Sequence, residues 1–386
     1  MASVTFDAAT RVYPGSEHPS VDAVTFNIAD GEFLSLLGPH GAGKSTALRM
    51  LAGLEEVTAG RILLDGHDID TIPPHDRDVA MAFQNYALYP HMSVADNMGF
   101  ALRVAGIPAK EIDRRVRHAA EILNLTDQLN ALPDQLSGHG ARQLVALGRA
   151  VVREPRVFMM DDPLANLDAD LRLDTGHHIA ELQQRLGITT LFATSSPTEA
   201  EAFGNRIAVL NHGRLEQIGP PEDIINTPAS IFVALYAAPE PMNLFLAPIN
   251  GNHATLGSST IPIPDHIRHH LTDTIVLGAR PGHTTISPDN TGCPTHIDTI
   301  TPTPPHGAVT PHTATATMRE HLDTTIPALN RIDHDLADTD TSLPMPPLRA
   351  LIPTEHNLSQ GDLVHLTPDP NHIHFFNPHT GQRLGP

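Results

Sequence analysis

Apolar and polar positions alternate in short bursts along the first part of the chain, and each burst closes on glycine, proline or a charged residue. Val4 and Phe6 share one face of a strand predicted over 3–6, and a Tyr13-Pro-Gly turn follows. Residues 22–28 alternate as a second strand, and 32–37 is a continuous apolar run that reads as a buried one. A helix is predicted over 46–52, closed by Gly53. Further strands fall at 61–64 and 79–83. Residues 110–125 repeat at helical spacing, with Ile112, Val116, Ala119, Ile122 and Leu123 on one face. The pattern then predicts a helix over 142–152, a strand over 157–161, a long helix over 169–186 and strands over 189–194 and 206–210. Asn211-His-Gly is a tight turn that lets 214–218 pair back as a hairpin. Strands alternating with helices indicate an α/β core with a mostly parallel sheet, carrying a helical insertion over about 86–152.

The pattern changes near residue 237, after which Thr, Pro and His dominate, as in Thr301-Pro-Thr-Pro-Pro-His-Gly-Ala-Val-Thr-Pro-His312. This places a first domain over 1–236 and a second over 237–386. Charge narrows the class. With Lys+Arg at 24 against Asp+Glu at 44, the formal charge of −20 argues against a nucleic-acid partner, because phosphate backbones need a cationic surface. No apolar run approaches the roughly 18 residues of a membrane span. The first residues show no charged segment followed by an apolar one, so no export signal is expected. Cys293 is the only cysteine, which rules out an internal disulfide and fits a reducing cytoplasm.

Chemistry concentrates at Gly38-Pro-His-Gly-Ala-Gly-Lys-Ser-Thr46, between the 32–37 strand and the 46–52 helix. The glycines let backbone N–H groups turn inward around phosphate oxygens, and the helix N-terminus adds a favourable dipole. Lys44 would reach the β- and γ-phosphates of a nucleotide, and the Ser45 hydroxyl would ligate Mg²⁺. Gly38, Gly41, Ala42, Gly43 and Thr46 complete the binding set. The chain has only one other lysine, Lys110. Tyr13 precedes this loop and is placed either to stack on adenine or to pack. Gln84 ends a strand, where it could sense Mg²⁺ and the γ-phosphate. Asp161 ends an apolar strand, where a carboxylate holds a magnesium shell through water, and Asp162 follows it. His372 and His374 would share one face of a strand, but two imidazoles are half of a closed metal site and no third ligand is specified.

Taken together, these motifs make residues 1–236 resemble the ATP-binding subunit of ABC transporters, in the maltose, trehalose and glycerol-phosphate importer branch. The resemblance rests on 38–46, on Val79-Ala-Met-Ala-Phe-Gln-Asn-Tyr-Ala-Leu-Tyr-Pro-His91, Leu136-Ser-Gly138, Val145-Ala-Leu-Gly-Arg-Ala150, residues 160–168 and Arg206-Ile-Ala-Val209. It implies a P-loop NTPase domain with a helical subdomain, followed by a small β-rich, OB-like regulatory domain. The latter is matched only in patches, at Pro241-Met-Asn243, at 276–281 and at 363–383, and 283–351 reads as loop-rich. By the same resemblance, two ATPase subunits, a homodimer or a heterodimer, sandwich two ATP molecules with Mg²⁺. Each site takes its phosphate loop from one chain and the signature Ser137, Gly138 and Gly140 from the other. The pair would drive a membrane permease docked near 84–94, at the cytoplasmic face of the membrane, with a separate solute-binding protein recognising the sugar. A non-catalytic, ATP-binding regulator or degenerate paralogue is the alternative.

That alternative arises because the departures fall on catalytic positions. Where the family has a glutamate that polarises the attacking water, this chain has Asp162, one methylene shorter. The family's switch histidine is replaced by Ser195. The signature, normally Leu-Ser-Gly-Gly-Gln, reads Leu136-Ser-Gly-His-Gly-Ala141, with His139 as a one-residue insertion and Gly140 at the second glycine position. Binding residues are therefore expected to be intact and hydrolysis weakened.

Overall fold

The computed structural model describes residues 2–82, 88–136, 138–165, 167, 169–270, 273–286, 291–302, 312–319, 348–353 and 358–385. The chain divides into two compact units, Met1–Asp223 and Ile224–Pro386. The composition change near residue 237 falls just past the start of the second.

The first unit runs β1 (Val4–Arg11), β2 (Val21–Ile28), β3 (Phe33–Leu37), α1 (Lys44–Ala52), β4 (Ala59–Leu64), β5 (His67–Asp68), β6 (Val79–Ala82), α2 (Val94–Val104), α3 (Ala109–Ile122), α4 (Gly138–Val151), β7 (Val157–Asp161), α5 (Ala169–Leu186), β8 (Thr189–Thr194), α6 (Pro197–Phe203), β9 (Arg206–Asn211) and β10 (Arg214–Gly219). The central six-stranded sheet has the order β10-β9-β3-β8-β7-β6. It is parallel except for the β9–β10 hairpin. A four-stranded antiparallel sheet, β2-β1-β4-β5, stands beside it.

The two-residue period of β3 divides the core. Leu34 and Leu36 join α1 and the antiparallel sheet in one cluster, where Phe6 and Phe26 stack at 4.5 Å. Phe33 faces the other way, into a cluster with Phe158, Phe192 and the buried stripe of α3 at Ile112, Val116, Ala119 and Leu123. Between β1 and β10, two helices went unread in the sequence. Helix α2 is capped by Ser93, whose hydroxyl accepts from Asp96 N at 3.0 Å. Its Gly99 looks like a breaker but is a packing residue, since a Cβ there would stand 2.9 Å from Ile112 Cγ2. Helix α6 is capped by Ser196, with Pro197 in its first turn.

Helix α5 meets α6 at Gly176, where a Cβ would overlap the Phe203 ring. That ring is held by Phe192 at 6.1 Å and His177 at 5.6 Å between centroids. Gly176→Ala gains about 1 kcal/mol of helix propensity and loses about 1–3 kcal/mol to overpacking. With the ring fixed on two sides the loss wins. Calorimetry of the full chain should show the first unit melting about 2–4 °C lower, and an unchanged or higher midpoint would refute this packing account.

The chain then passes through α7 (Pro221–Asn226) to α8 (Ile231–Tyr236). The second unit continues with β11 (Asn243–Asn250), β12 (His253–Leu256), β13 (Ser259–Pro262), β14 (Thr274–Ala279), β15 (Thr284–Ile286), β16 (Cys293–Pro302), β17 (His312–Arg319), β18 (Leu348–Pro353), β19 (Leu363–Pro368) and β20 (His374–Phe376). One sheet has the order β13-β12-β11-β14-β20, and five strands close a barrel in the order β15-β18-β17-β16-β19. Asn243 ties the two together, donating to Thr284 Oγ1 at 2.9 Å and to Arg349 O at 2.7 Å. The stretch read as loop-rich therefore supplies four barrel strands, from β15 to β18. Part of it escaped notice because His312-Thr-Ala-Thr-Ala-Thr317 alternates two small residues, which leaves little hydrophobic contrast. The expected histidine pair also dissolves. His372 ends a 3₁₀ turn, donates from Nδ1 to Asp369 Oδ2 at 2.8 Å and lies tilted against His283 at 4.0 Å between ring centroids, whereas His374 opens β20. Among the described residues no group of three or more His, Cys, Asp or Glu is arranged to hold a metal.

Candidate functional site

The phosphate loop joins the C-terminal end of β3 to α1. Gly41 and Gly43 take left-handed φ values of 82° and 97°. Side chains are excluded on both sides of the loop. A Cβ on Gly43 would overlap Ser20 O, and one on Gly38 would lie 2.5 Å from Leu210 O. Gly43 is the N-cap of α1 and offers no side-chain cap, so the first-turn N–H groups stay available to an anion. Lys44 is buried, and its ammonium donates to Gly38 O at 2.6 Å and Pro39 O at 2.9 Å. Beside it Ser45 Oγ donates to Asp161 Oδ1 at 2.8 Å. A cleft of about 260 Å³ opens here, lined by residues 40–46 with Ser20, Asp161 and Asp162.

Burial sets the electrostatics. It lowers the Lys44 amine to about 8, against the opposing pull of Asp162 and Asp161. Burial raises Asp162, whereas Lys44, His40 and the Ser195 hydroxyl favour its charged form. Asp162 has φ 47°, and its N–H donates to Ala193 O at 2.9 Å, so the backbone fixes where the carboxylate starts. Ser195 Oγ reaches Asp162 Oδ2 at 3.4 Å. Behind them Glu199 is buried and its acid raised by desolvation, while Thr194 Oγ1 donates to it at 2.6 Å.

A carboxylate whose folded pKa is raised binds its proton more tightly in the folded chain, so the fold loses stability as pH climbs through that pKa. Asp162→Asn removes the penalty. The nucleotide-free variant should melt at a higher temperature than the natural chain at neutral pH, with the gap closing as pH falls toward about 4. Equal midpoints at neutral pH would contradict this reading of the site.

The structure gathers Gly38, Gly41, Ala42, Gly43, Lys44, Ser45, Thr46, Asp161, Asp162 and Ser195 into one region of the first unit. Tyr13 lies at its rim, its hydroxyl 3.4 Å from Thr46 Oγ1 and its ring under the Arg11 guanidinium at 4.8 Å. Gln84 and Ser137 lie outside the described residues. Gly138 begins α4, and the helix runs without a break through His139. Gly140 is buried within α4, and a Cβ there would stand 3.1 Å from Leu171 Cδ1. His40, Ser20 and Glu199 were not singled out in the sequence. Only Glu199 left a signal, as the acid three residues after the Ser196 cap.

The donor set suits a hard divalent cation. Ser45 and Asp161 supply oxygen ligands of a hydroxyl and a carboxylate, already paired at 2.8 Å at the cleft where phosphate oxygens would enter.

Comparisons with known proteins agree with this geometry. The profile of the family described as "ABC transporter" matches residues 21–165. The diacetylchitobiose uptake system ATP-binding protein MsiK of Streptomyces coelicolor is 45% identical over 389 residues, covering 100% of both chains. The sn-glycerol-3-phosphate import ATP-binding protein UgpC 2 of Agrobacterium fabrum is 40% identical, covering 100% of this chain and 95% of its own. Among solved structures, cbiO1 of Clostridium perfringens, part of the transporter complex cbiONQ, aligns with a TM-score of 0.54 at 26% identity. It covers 57% of this chain and 89% of its own. With a phosphate loop, a paired serine and aspartate, and relatives matched end to end, this chain belongs to the ABC transporter family, among its ATP-binding ATPase subunits.

Proposed function

We propose that the chain energises carbohydrate import, binding Mg²⁺–ATP and hydrolysing it slowly while attached to a membrane permease. The observation that carries this is the Lys44–Ser45–Asp161 cleft in a chain 45% identical along its whole length to an uptake-system subunit. Lys44 exchanges the carbonyls of Gly38 and Pro39 for the β- and γ-phosphates, which hold it in the charged form. The Gly41–Lys44 amides and the N-terminus of α1 hold the remaining phosphate oxygens. Tyr13 stacks on the adenine. Ser45 and Asp161 would hold the magnesium, and Gln84 would sense it. The ion, when bound, neutralises phosphate charge. Asp162 takes the proton of the attacking water as its oxygen bonds to the γ-phosphorus and the bridging oxygen leaves with ADP.

Two copies, or this chain and a second ATPase subunit, sandwich the nucleotides, and a solute-binding protein outside the membrane chooses the sugar. No helix among the described residues is long and apolar enough to cross a membrane, and in this reading the chain is held at the cytoplasmic face by the permease. Hydrolysis is weakened by Asp162, Ser195 and the signature around His139. The test is ATP binding and steady-state turnover of the purified chain with Lys44→Ala as the blank. Binding with slow turnover is expected, and turnover should fall about 100-fold in Lys44→Ala. Tight binding with turnover equal to the blank would make the chain a non-catalytic regulator. Failure to co-purify with a membrane permease would remove it from transport.

A further inference from the structure

We propose that His40 supplies, from within the phosphate loop, the imidazole that position 195 no longer carries. The proposal rests on the ATPase reading above. At position 195 the chain offers a hydroxyl whose bond to Asp162 is 3.4 Å, beyond the 2.5–3.0 Å usual for O–H···O. That side chain is too short to hold the acid and reach a phosphate as well. His40 is exposed, at the third position of the loop, and lines the same cleft as Lys44 and Asp162. Its ring is the only imidazole among the described residues lining that cleft. His40 therefore lines the same cleft as the general base, the space that the transferred phosphoryl group must enter.

In the reaction, a ring N–H of His40 donates to a γ-phosphate oxygen as charge gathers there. The water oxygen bonds to phosphorus, its proton passes to Asp162, and the β–γ bridging oxygen departs with its electron pair on ADP. His40 is unchanged at the end.

Four full-length proteins test this: the natural chain, Lys44→Ala, His40→Ala, and His40→Ala with Ser195→His. Each is measured for ATP affinity and for kcat. The exposed position of His40 means that its truncation removes little packing. We expect His40→Ala to bind ATP within about threefold of the natural chain while kcat falls at least about tenfold. Placing histidine at 195 in that variant should recover at least about half of the lost kcat, a rescue that a structural role for His40 would not allow. A kcat for His40→Ala within about twofold of the natural chain overturns the proposal. So does a natural chain that binds ATP with no Lys44-dependent turnover, because the imidazole would then restore nothing. A natural chain that binds no ATP fails the functional reading itself and takes this inference with it.

Discussion

Asp162→Glu should raise the ATP turnover of the purified chain by about tenfold or more. The backbone at position 162 is held at φ 47° and by the N–H bond to Ala193 O, so the carboxylate cannot be brought forward by shifting the main chain. Only side-chain length can move it. A methylene carries the acid more than 1 Å further into the cleft, and a displacement of about 1 Å is worth about 10²-fold for a group that must meet a water. The cleft, at about 260 Å³, has room for the longer side chain. Glutamate reaching further from the buried wall is also better solvated, so its turnover should persist to lower pH than that of the natural chain, whose Asp162 is raised by burial. Ser195→His on top of this separates two accounts of the site. It adds little where His40 already serves the γ-phosphate, and a second tenfold, about, where it does not. Unchanged turnover in Asp162→Glu would show that the base is not the limiting defect.

Deleting His139 should strengthen ATP-dependent self-association by about tenfold, a gain of about 1.4 kcal/mol. The body of α4 is anchored in the core by Val145, Leu147 and Val151, all buried. An added residue near its start is therefore felt on the N-terminal side. Removing it turns that side by about 100° about the helix axis and draws it in by about 1.5 Å. In the proposed sandwich this is the side that presents the signature to the partner's γ-phosphate, and with His139 read as an insertion, as proposed, the deletion would return the motif to the family's spacing. Sedimentation velocity with saturating ATP, on natural and deleted chains, reads the result directly. A dimerisation midpoint that does not move would mean that the insertion is neutral, or that the natural partner is a different subunit.

What was legible in the sequence was whatever has a local cause. Gly38–Thr46 needs glycines where side chains would collide with Ser20 and Leu210, and that need is visible as spacing. The β7 and β8 strands are buried throughout, and Val157-Phe-Met-Met160 reads as a plain apolar run. Helix α2 was hidden because its Gly99 answers to Ile112 on another helix, which no local pattern reveals. The start of α4 was placed at 142 because Gly-His-Gly looks like a loop, whereas the helix begins at Gly138. The site divides in the same way. Lys44, Ser45 and Asp161 were named by motif. The approach of His40 to Asp162, and the Thr194–Glu199 bond behind them, come from bringing together segments more than 100 residues apart or from folding a turn back on a strand, and no spacing rule announces either.

The burial of Lys44 has a practical consequence. An amine lowered to about 8 is substantially unprotonated in mildly alkaline buffer, where the ordinary lysine is still an inert cation. The chain has one other lysine, Lys110, exposed at the start of α3. An amine-directed acylating reagent thus meets two side chains of opposite character: an exposed one on α3, and a shielded one whose amine is lowered by burial. Phosphate bound in the loop would recharge the second and cover it. Mass-spectrometric labelling of these two lysines therefore becomes a built-in gauge of nucleotide occupancy, with Lys110 as the internal standard and no engineered probe required.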